Sequence, residues 1–124
     1  MTKGPEDWQA FLAERPIAVL ATLGAGGDIH AVAVEVVVHE GTPHVWCESW
    51  SVKARNAQRQ GRATIMAYKG QVGVMVRGSV RAIRPGEAGY EEITAMFLKK
   101  YDREEEFGND LVLAIAPGRV TTWG

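Results

Sequence analysis

Val72-Gly73-Val74-Met75-Val76-Arg77-Gly78-Ser79-Val80-Arg81-Ala82-Ile83-Arg84 reads as one long β-strand, with β-branched residues recurring along it and Pro85-Gly86 closing it. A glycine inside a strand weakens it and marks a bulge or a tight bend, so Gly73 and Gly78 point to a barrel corner. Upstream, residues 63–68 read as a strand joined to the first around Gly70. Downstream, 87–101 reads as an amphipathic helix with Tyr90, Ile93, Phe97 and Tyr101 on one side. An acidic loop over 102–110 then leads to closing strands over 111–116 and 119–123.

The first half of the chain has the same character. A helix is expected from Pro5, with Trp8, Phe11 and Leu12 on one face, stopped by Arg15-Pro16. Residues 17–23 are nearly continuously apolar, the pattern of a strand covered on both sides. Gly24, Gly26 and Gly27 make a turn into a second strand expected over 29–39. Glu40-Gly41-Thr42-Pro43 is a hairpin connection to a strand over 44–49. The sum is six or seven strands and three helices in one domain over 1–124: a mainly β protein, a small β-barrel with flanking helices. Its valine-rich strands carry more apolar surface than so small a barrel can cover, so dimerisation is expected.

Composition narrows the function classes. Hydrophobic residues make up 46% and charged residues 23% of the chain, and the net charge is −1. There is no global field to attract nucleic acid or an anionic membrane, so anion binding must come from local clustering. The single Cys47 excludes an internal disulfide and does not make a zinc site alone. Without a signal-peptide core or an 18-residue apolar run, the expectation is a cytoplasmic protein.

The densest chemistry lies between Trp46 and Arg62. Ser49 and Ser51 stand where a new helix would leave its first N–H groups unpaired, and Lys53, Arg55 and Asn56 follow within one turn. Free N–H donors, the helix dipole and nearby cations together make an anion site, read here as the cradle of a phosphorylated ligand. The helix is expected over 52–60, ended by Gly61. In the 29–39 strand, Val32, Val34, Val36 and Val38 form one apolar face, while Ala31, Ala33 and Glu35 form the other. That asymmetry leaves room either for something flat or for another backbone.

The order Phe-Leu-Ala-Glu-Arg, Ala-Val-Leu-Ala-Thr-Leu, a glycine turn, His-Ala-Val-Ala-Val and Ser-Val-Lys-Ala-Arg-Asn before a strand resembles the pyridoxamine-phosphate-oxidase-like split β-barrels. Within them it is most similar to the flavin/deazaflavin oxidoreductases. The likeness covers roughly residues 8 to 84 and extends to the closing Arg-Val-Thr-Thr-Trp. It implies an FMN-binding-like split barrel, a homodimer, and two cofactors at the subunit interface. The phosphate positions it implies are Ser51, Lys53 and Asn56, with Arg55 alongside; Ser49 is added to them by the helix-start reading alone. Its ring-flanking strand corresponds to Ala33, Val34, Glu35 and Val36. Many relatives carry proline in this strand, where the present chain has Ala31 and Ala33.

The implied cofactor is coenzyme F420, with FMN as the alternative and haem as a third; His30, His39 and His44 show no ligand spacing. Arg55, Arg59 and Arg62 are either cations for an acidic cofactor tail or a solvated helix face. Glu35 reads more simply as a rim charge than as a proton relay, Cys47 as a buried residue, and Ser49 and Ser51 as helix caps. The expected function is an oxidoreductase passing hydride to a small organic acceptor, tetrapyrrole-like acceptors included, with the chemistry carried by the cofactor and no catalytic residue assigned. The alternative is a carrier that binds the cofactor without turnover.

Overall fold

The computed structural model describes residues 4–106 and 108–124. Met1–Lys3, part of the expected domain, and Phe107, within the expected acidic loop, lie outside the described residues. Helix α1 (Trp8–Ala13) is capped by Asp7, whose Oδ1 accepts from the amides of Gln9 and Ala10 at 3.1 Å. It starts there rather than at Pro5, because a side-chain acceptor satisfies two otherwise unpaired donors. The strands are β1 (Ala18–Leu23), β2 (Ile29–Val34), β3 (Val37–His39), β4 (Thr42–Cys47), β5 (Arg62–Lys69), β6 (Val72–Ile83) and β7 (Leu111–Trp123). Helix α2 (Val52–Gln60) lies between β4 and β5, and α3 (Tyr90–Lys100) between β6 and β7.

All seven strands form one antiparallel sheet in the order β2-β1-β5-β6-β7-β4-β3. The two outermost strands, β2 and β3, are successive pieces of the same chain, separated only by Glu35 and Val36. A sheet whose opposite edges are joined by two residues is rolled on itself, and because β2 and β3 do not pair, the barrel is split at that point. The expected single strand over 29–39 is therefore corrected to two strands that serve opposite edges. Alternation continues through the break, so side-chain pattern alone does not reveal it.

Other expectations change in detail. Strand β1 is not covered on both faces: Ala18, Leu20 and Thr22 are buried, while Val19, Ala21 and Leu23 are half-exposed. The two expected closing strands are one, β7, whose register against β6 shifts between Arg77 and Gly78. The bulge absorbs Pro117-Gly118, which had looked like a strand break. Helix α3 begins at Tyr90, three residues later than expected, because Gly89 precedes it in the left-handed region at φ 93°. Gly61, at φ 71°, ends α2 as expected.

Two cores result. Inside the barrel, Leu20, Val36, Val45, Ile65, Val74, Val76, Leu113 and Ile115 meet side chains from α1 (Leu12) and α2 (Ala54, Ala57). Outside it, α3 lays Tyr90, Ile93 and Phe97 over Val37, Ile83, Val112 and Ala114. The register leaves Val19, Ala21, Ala31 and Ala33 together with Met66, Met75 and Tyr68 on the outer face of β2, β1, β5 and β6. Ile29 in that row is 76% exposed and Tyr68 63%.

Candidate functional site

Helix α2 begins as its sequence dictates. Ser51 adopts an extended conformation, its Oγ accepts from the Ala54 amide at 3.4 Å and donates to the Glu48 carbonyl at 2.7 Å. The amides of Val52 and Lys53 are left without an acceptor among the described residues. The Lys53 side chain is half-exposed and pairs with no carboxylate among the described residues. Arg55, two residues further along α2, is exposed. Two free helix amides and two unpaired cations at one helix end suit an oxyanion.

The neighbouring candidates have other engagements. The Ser49 amide and Oγ donate to the two oxygens of Asp110 at 2.7 and 2.9 Å, and these bonds hold the Asp110 carboxyl below its usual range. Asn56 is buried and faces β1: its Nδ2 donates to Thr22 Oγ1 at 3.2 Å, and its Oδ1 accepts from Arg59 at 2.6 Å. It ties α2 to the barrel wall. Arg59 also donates to the Leu23 carbonyl at 3.1 Å, and Arg62 stands on β5 rather than on the helix.

The ring-flanking candidates split by strand parity. Ala33 is on the exposed outer face opposite Val19, and Val34 points into the barrel. Glu35 makes a bidentate ion pair with Arg103, at 2.6 and 3.2 Å, and Arg103 is also 3.2 Å from Glu106. Val36 is buried at the crossing, where its backbone leaves the sheet. Its N–H donates to Tyr101 Oη at 2.9 Å, and its carbonyl accepts from Lys100 Nζ at 2.6 Å. Lys100 Nζ also donates to the Arg15 carbonyl at 2.7 Å, and Tyr101 Oη to that of Pro16 at 2.8 Å. Burial holds the Lys100 ammonium down at about 8, against the opposing pull of Glu35.

Lys100 and Tyr101 thus supply the hydrogen bonds that a sheet partner would have given Val36. Neither was singled out for this from sequence. Tyr101 was legible only as part of an apolar stripe, and nothing in the sequence points from Lys100 to a strand 64 residues away.

The remaining polar residues have structural roles. Cys47 is buried and its thiol is pushed up to about 11 by that burial, which leaves it protonated at neutral pH. Trp46 packs against Tyr90 and Phe97 and donates to Tyr90 Oη at 3.2 Å; Trp50 is 71% exposed beside Ser51. No group of three or more His, Cys, Asp or Glu side chains is placed to hold a metal among the described residues.

His44 is 3% exposed with its Nδ1 unpartnered, and burial lowers its pKa from 6.5 to about 4. Below pH 6.5 the unfolded chain takes up a proton that the folded one refuses, so stability falls as pH drops from 6.5 towards 4. The loss attributable to this residue is expected to reach roughly 3 kcal/mol. Urea midpoints of the parent and His44→Leu across that window check this: the parent should fall more steeply, and parallel pH profiles would remove His44 as the cause.

Two clefts open on the outer face. One, of about 620 Å³, runs along Arg15–Val19 and Met66–Lys69. The other, of about 740 Å³, lies beyond Gly61 between β1, β5, β6 and β7. None of the nine candidate residues on β2, at the crossing or at the start of α2 lines either cleft.

An antiparallel sheet rolled until its edges are joined by one crossing strand, with helices filling the barrel end and the split, defines the split β-barrel class. The family model of pyridoxamine 5'-phosphate oxidase matches residues 5–124, and the chain belongs to that family. No curated protein matches it in sequence.

Among solved structures, the chain is similar to HutZ, a heme storage protein from Vibrio cholerae, with a TM-score of 0.78 at 14% identity over 94% of this chain and 92% of that one. It is similar to a conserved hypothetical protein from Mycobacterium tuberculosis, with a TM-score of 0.76 at 18% identity over 98% and 89%. A structure described as an F420 reductase gives 0.75 at 16% identity over 94% and 98%. At such identities these likenesses establish the fold.

Proposed function

We propose that the chain is a single-domain oxidoreductase that works as a homodimer with a deazaflavin, coenzyme F420, or alternatively FMN, and passes hydride to a small organic acceptor. The observation that carries this is the start of α2, where the free amides of Val52 and Lys53 and the Lys53 ammonium fit a cofactor phosphate. Arg55 adds a second cation within reach of solvent. Ser51 contributes by fixing the helix start, while Ser49 and Asn56 hold the surrounding backbone in place. The small outer face at Ala31 and Ala33 leaves space for a planar ring, and the Lys100 and Tyr101 bonds keep the adjoining Glu35–Val36 backbone in one conformation.

The bound cofactor would supply two-electron hydride chemistry, and the protein's part is to bind, orient and shield it. This suits a site whose thiol is buried and whose carboxylates Glu35 and Asp110 are tied to Arg103 and Ser49. A second copy placed on the apolar outer face would cover Met66, Met75 and Tyr68 and enclose a ligand that one chain leaves open. No helix among the described residues is long and apolar enough to cross a membrane, and a cytoplasmic location belongs to the same proposal.

Titration of apo-protein with FMN and with F420, read by cofactor fluorescence, tests the reading and chooses between them. Haem is included because a heme storage protein shares the fold. Lys53→Ala is expected to weaken binding by about tenfold or more, through loss of a charge-assisted contact of roughly 1.5–3 kcal/mol. Unchanged affinity in that variant would exclude Lys53 from the site. In stopped-flow mixing, reduced cofactor on the protein should be reoxidised by an acceptor faster than free cofactor; equal rates across a panel of acceptors favour a carrier.

A further inference from the structure

The larger cleft has a composition that the fold alone does not require. Arg77 on β6 and Arg119 on β7 are direct cross-strand partners, and Arg62 lies diagonally across on β5, where its own partner is Ser79. All three line the cleft, and no Asp or Glu is among its lining residues. Among the described residues, none of the three makes a side-chain hydrogen bond or ion pair. The other arginines nearby do find partners: Arg59 reaches the Leu23 carbonyl and Arg84 reaches Gln58.

Like charges directly opposite each other on a sheet are destabilising, and a sequence that breaks a local rule without compensation inside the fold points to a compensating group from outside. The surroundings fit such a group. The bulge between Arg77 and Gly78 turns the backbone here, and Gly78 and Gly118 bare the main chain on the cleft wall. On the β1–β2 side the wall is apolar, formed by Ala21, Leu23 and the strongly exposed Ile29.

We propose that this cleft binds a small organic anion: a phosphate or carboxylate held by Arg62, Arg77 and Arg119, carried on an apolar body that rests against Leu23 and Ile29. Guanidinium forks pair with either oxyanion in a bidentate fashion, and a volume of about 740 Å³ is ample for a molecule of metabolite size. The cleft lies at the Gly61 end of α2, about 12 Å along the helix from Lys53, so its anion site is distinct from the one at the start of that helix.

The test uses the full ¹⁵N-labelled chain at low salt, titrated separately with phenyl phosphate and with benzoate and followed by amide chemical shifts. Shifts are expected at Gly78, Ser79, Gly118 and Arg119, saturating near or below about 1 mM. The probe that saturates at the lower concentration identifies phosphate or carboxylate as the preferred group. In the Arg77→Gln/Arg119→Gln double variant the apparent affinity for that probe should fall at least tenfold, and raised salt should weaken binding to the parent.

The same variant should melt at an equal or higher temperature without ligand, because a repulsive pair is gone. That outcome separates ligand-holding arginines from structural ones. Unchanged affinity in the double variant, shifts confined to residues 51–54, or a variant that melts lower than the parent would overturn the proposal.

Discussion

Truncating Phe97 to alanine is expected to lower the unfolding free energy by about 3–5 kcal/mol, a large share of what a domain of this size possesses. Phe97 is fully buried, 5.9 Å from the Trp46 ring and stacked on Tyr101 at 6.3 Å, and it is the largest fully buried side chain among the described residues. The loss should extend beyond packing. With α3 loosened, Tyr101 and Lys100 no longer hold the Val36 backbone, and β2 and β3 lose the support at their crossing. Urea unfolding measures the first effect, and hydrogen exchange at the Val36 amide the second. Phe97→Leu, which keeps most of the volume, should cost under about 1.5 kcal/mol and leave that amide protected. A Phe97→Ala variant with a normal midpoint, or a Val36 amide still protected in it, would show that α3 does not support the crossing.

Gly78→Ala should be comparably damaging, for a different reason. A Cβ at this position would fall within bonding distance of the Ala116 carbonyl oxygen, which is main chain with no rotamer to change. Accommodation means opening the β6–β7 bulge, the longest pairing in the sheet, and the expected cost is about 3 kcal/mol or more. Gly26→Ala serves as the control, since nothing lies within 4 Å of a Cβ there, and it should change stability by no more than about 0.5 kcal/mol. Equal midpoints for the two variants would refute the steric reading of the bulge.

These two positions mark the limit of what could be read from residue order. The inference from Gly78 to a bend was sound, since a missing side chain in a β-branched run is a local signal. Phe97 was likewise legible as part of an apolar helical stripe. What the stripe packs against was not, because Val37, Ile83 and Val112 come from three strands with no shared periodicity. The same holds at the candidate site. Ser51, Lys53 and Gly61 were readable because capping and helix ends depend on near neighbours. Asn56 and Ser49 stand beside the start of α2 in sequence, and their partners Thr22, 34 residues away, and Asp110, 61 away, are visible only in the fold. Glu35 found Arg103 in the same manner.

Residue order alone carries the strand-rich content, the three helices, the capped start of α2 with its free amides, and the family likeness that the match over residues 5–124 upholds. Each follows from short-range chemistry: alternation along a strand, helix capping, and glycine where φ is positive or space is absent. The tertiary structure alone decided that residues 29–39 divide between opposite edges of the sheet, that Lys100 and Tyr101 take over the hydrogen bonds at that crossing, and that Arg62, Arg77 and Arg119 share one cleft. Those outcomes depend on closing the barrel, which joins residues distant along the chain, and no local pattern encodes which distant strand a given residue will meet.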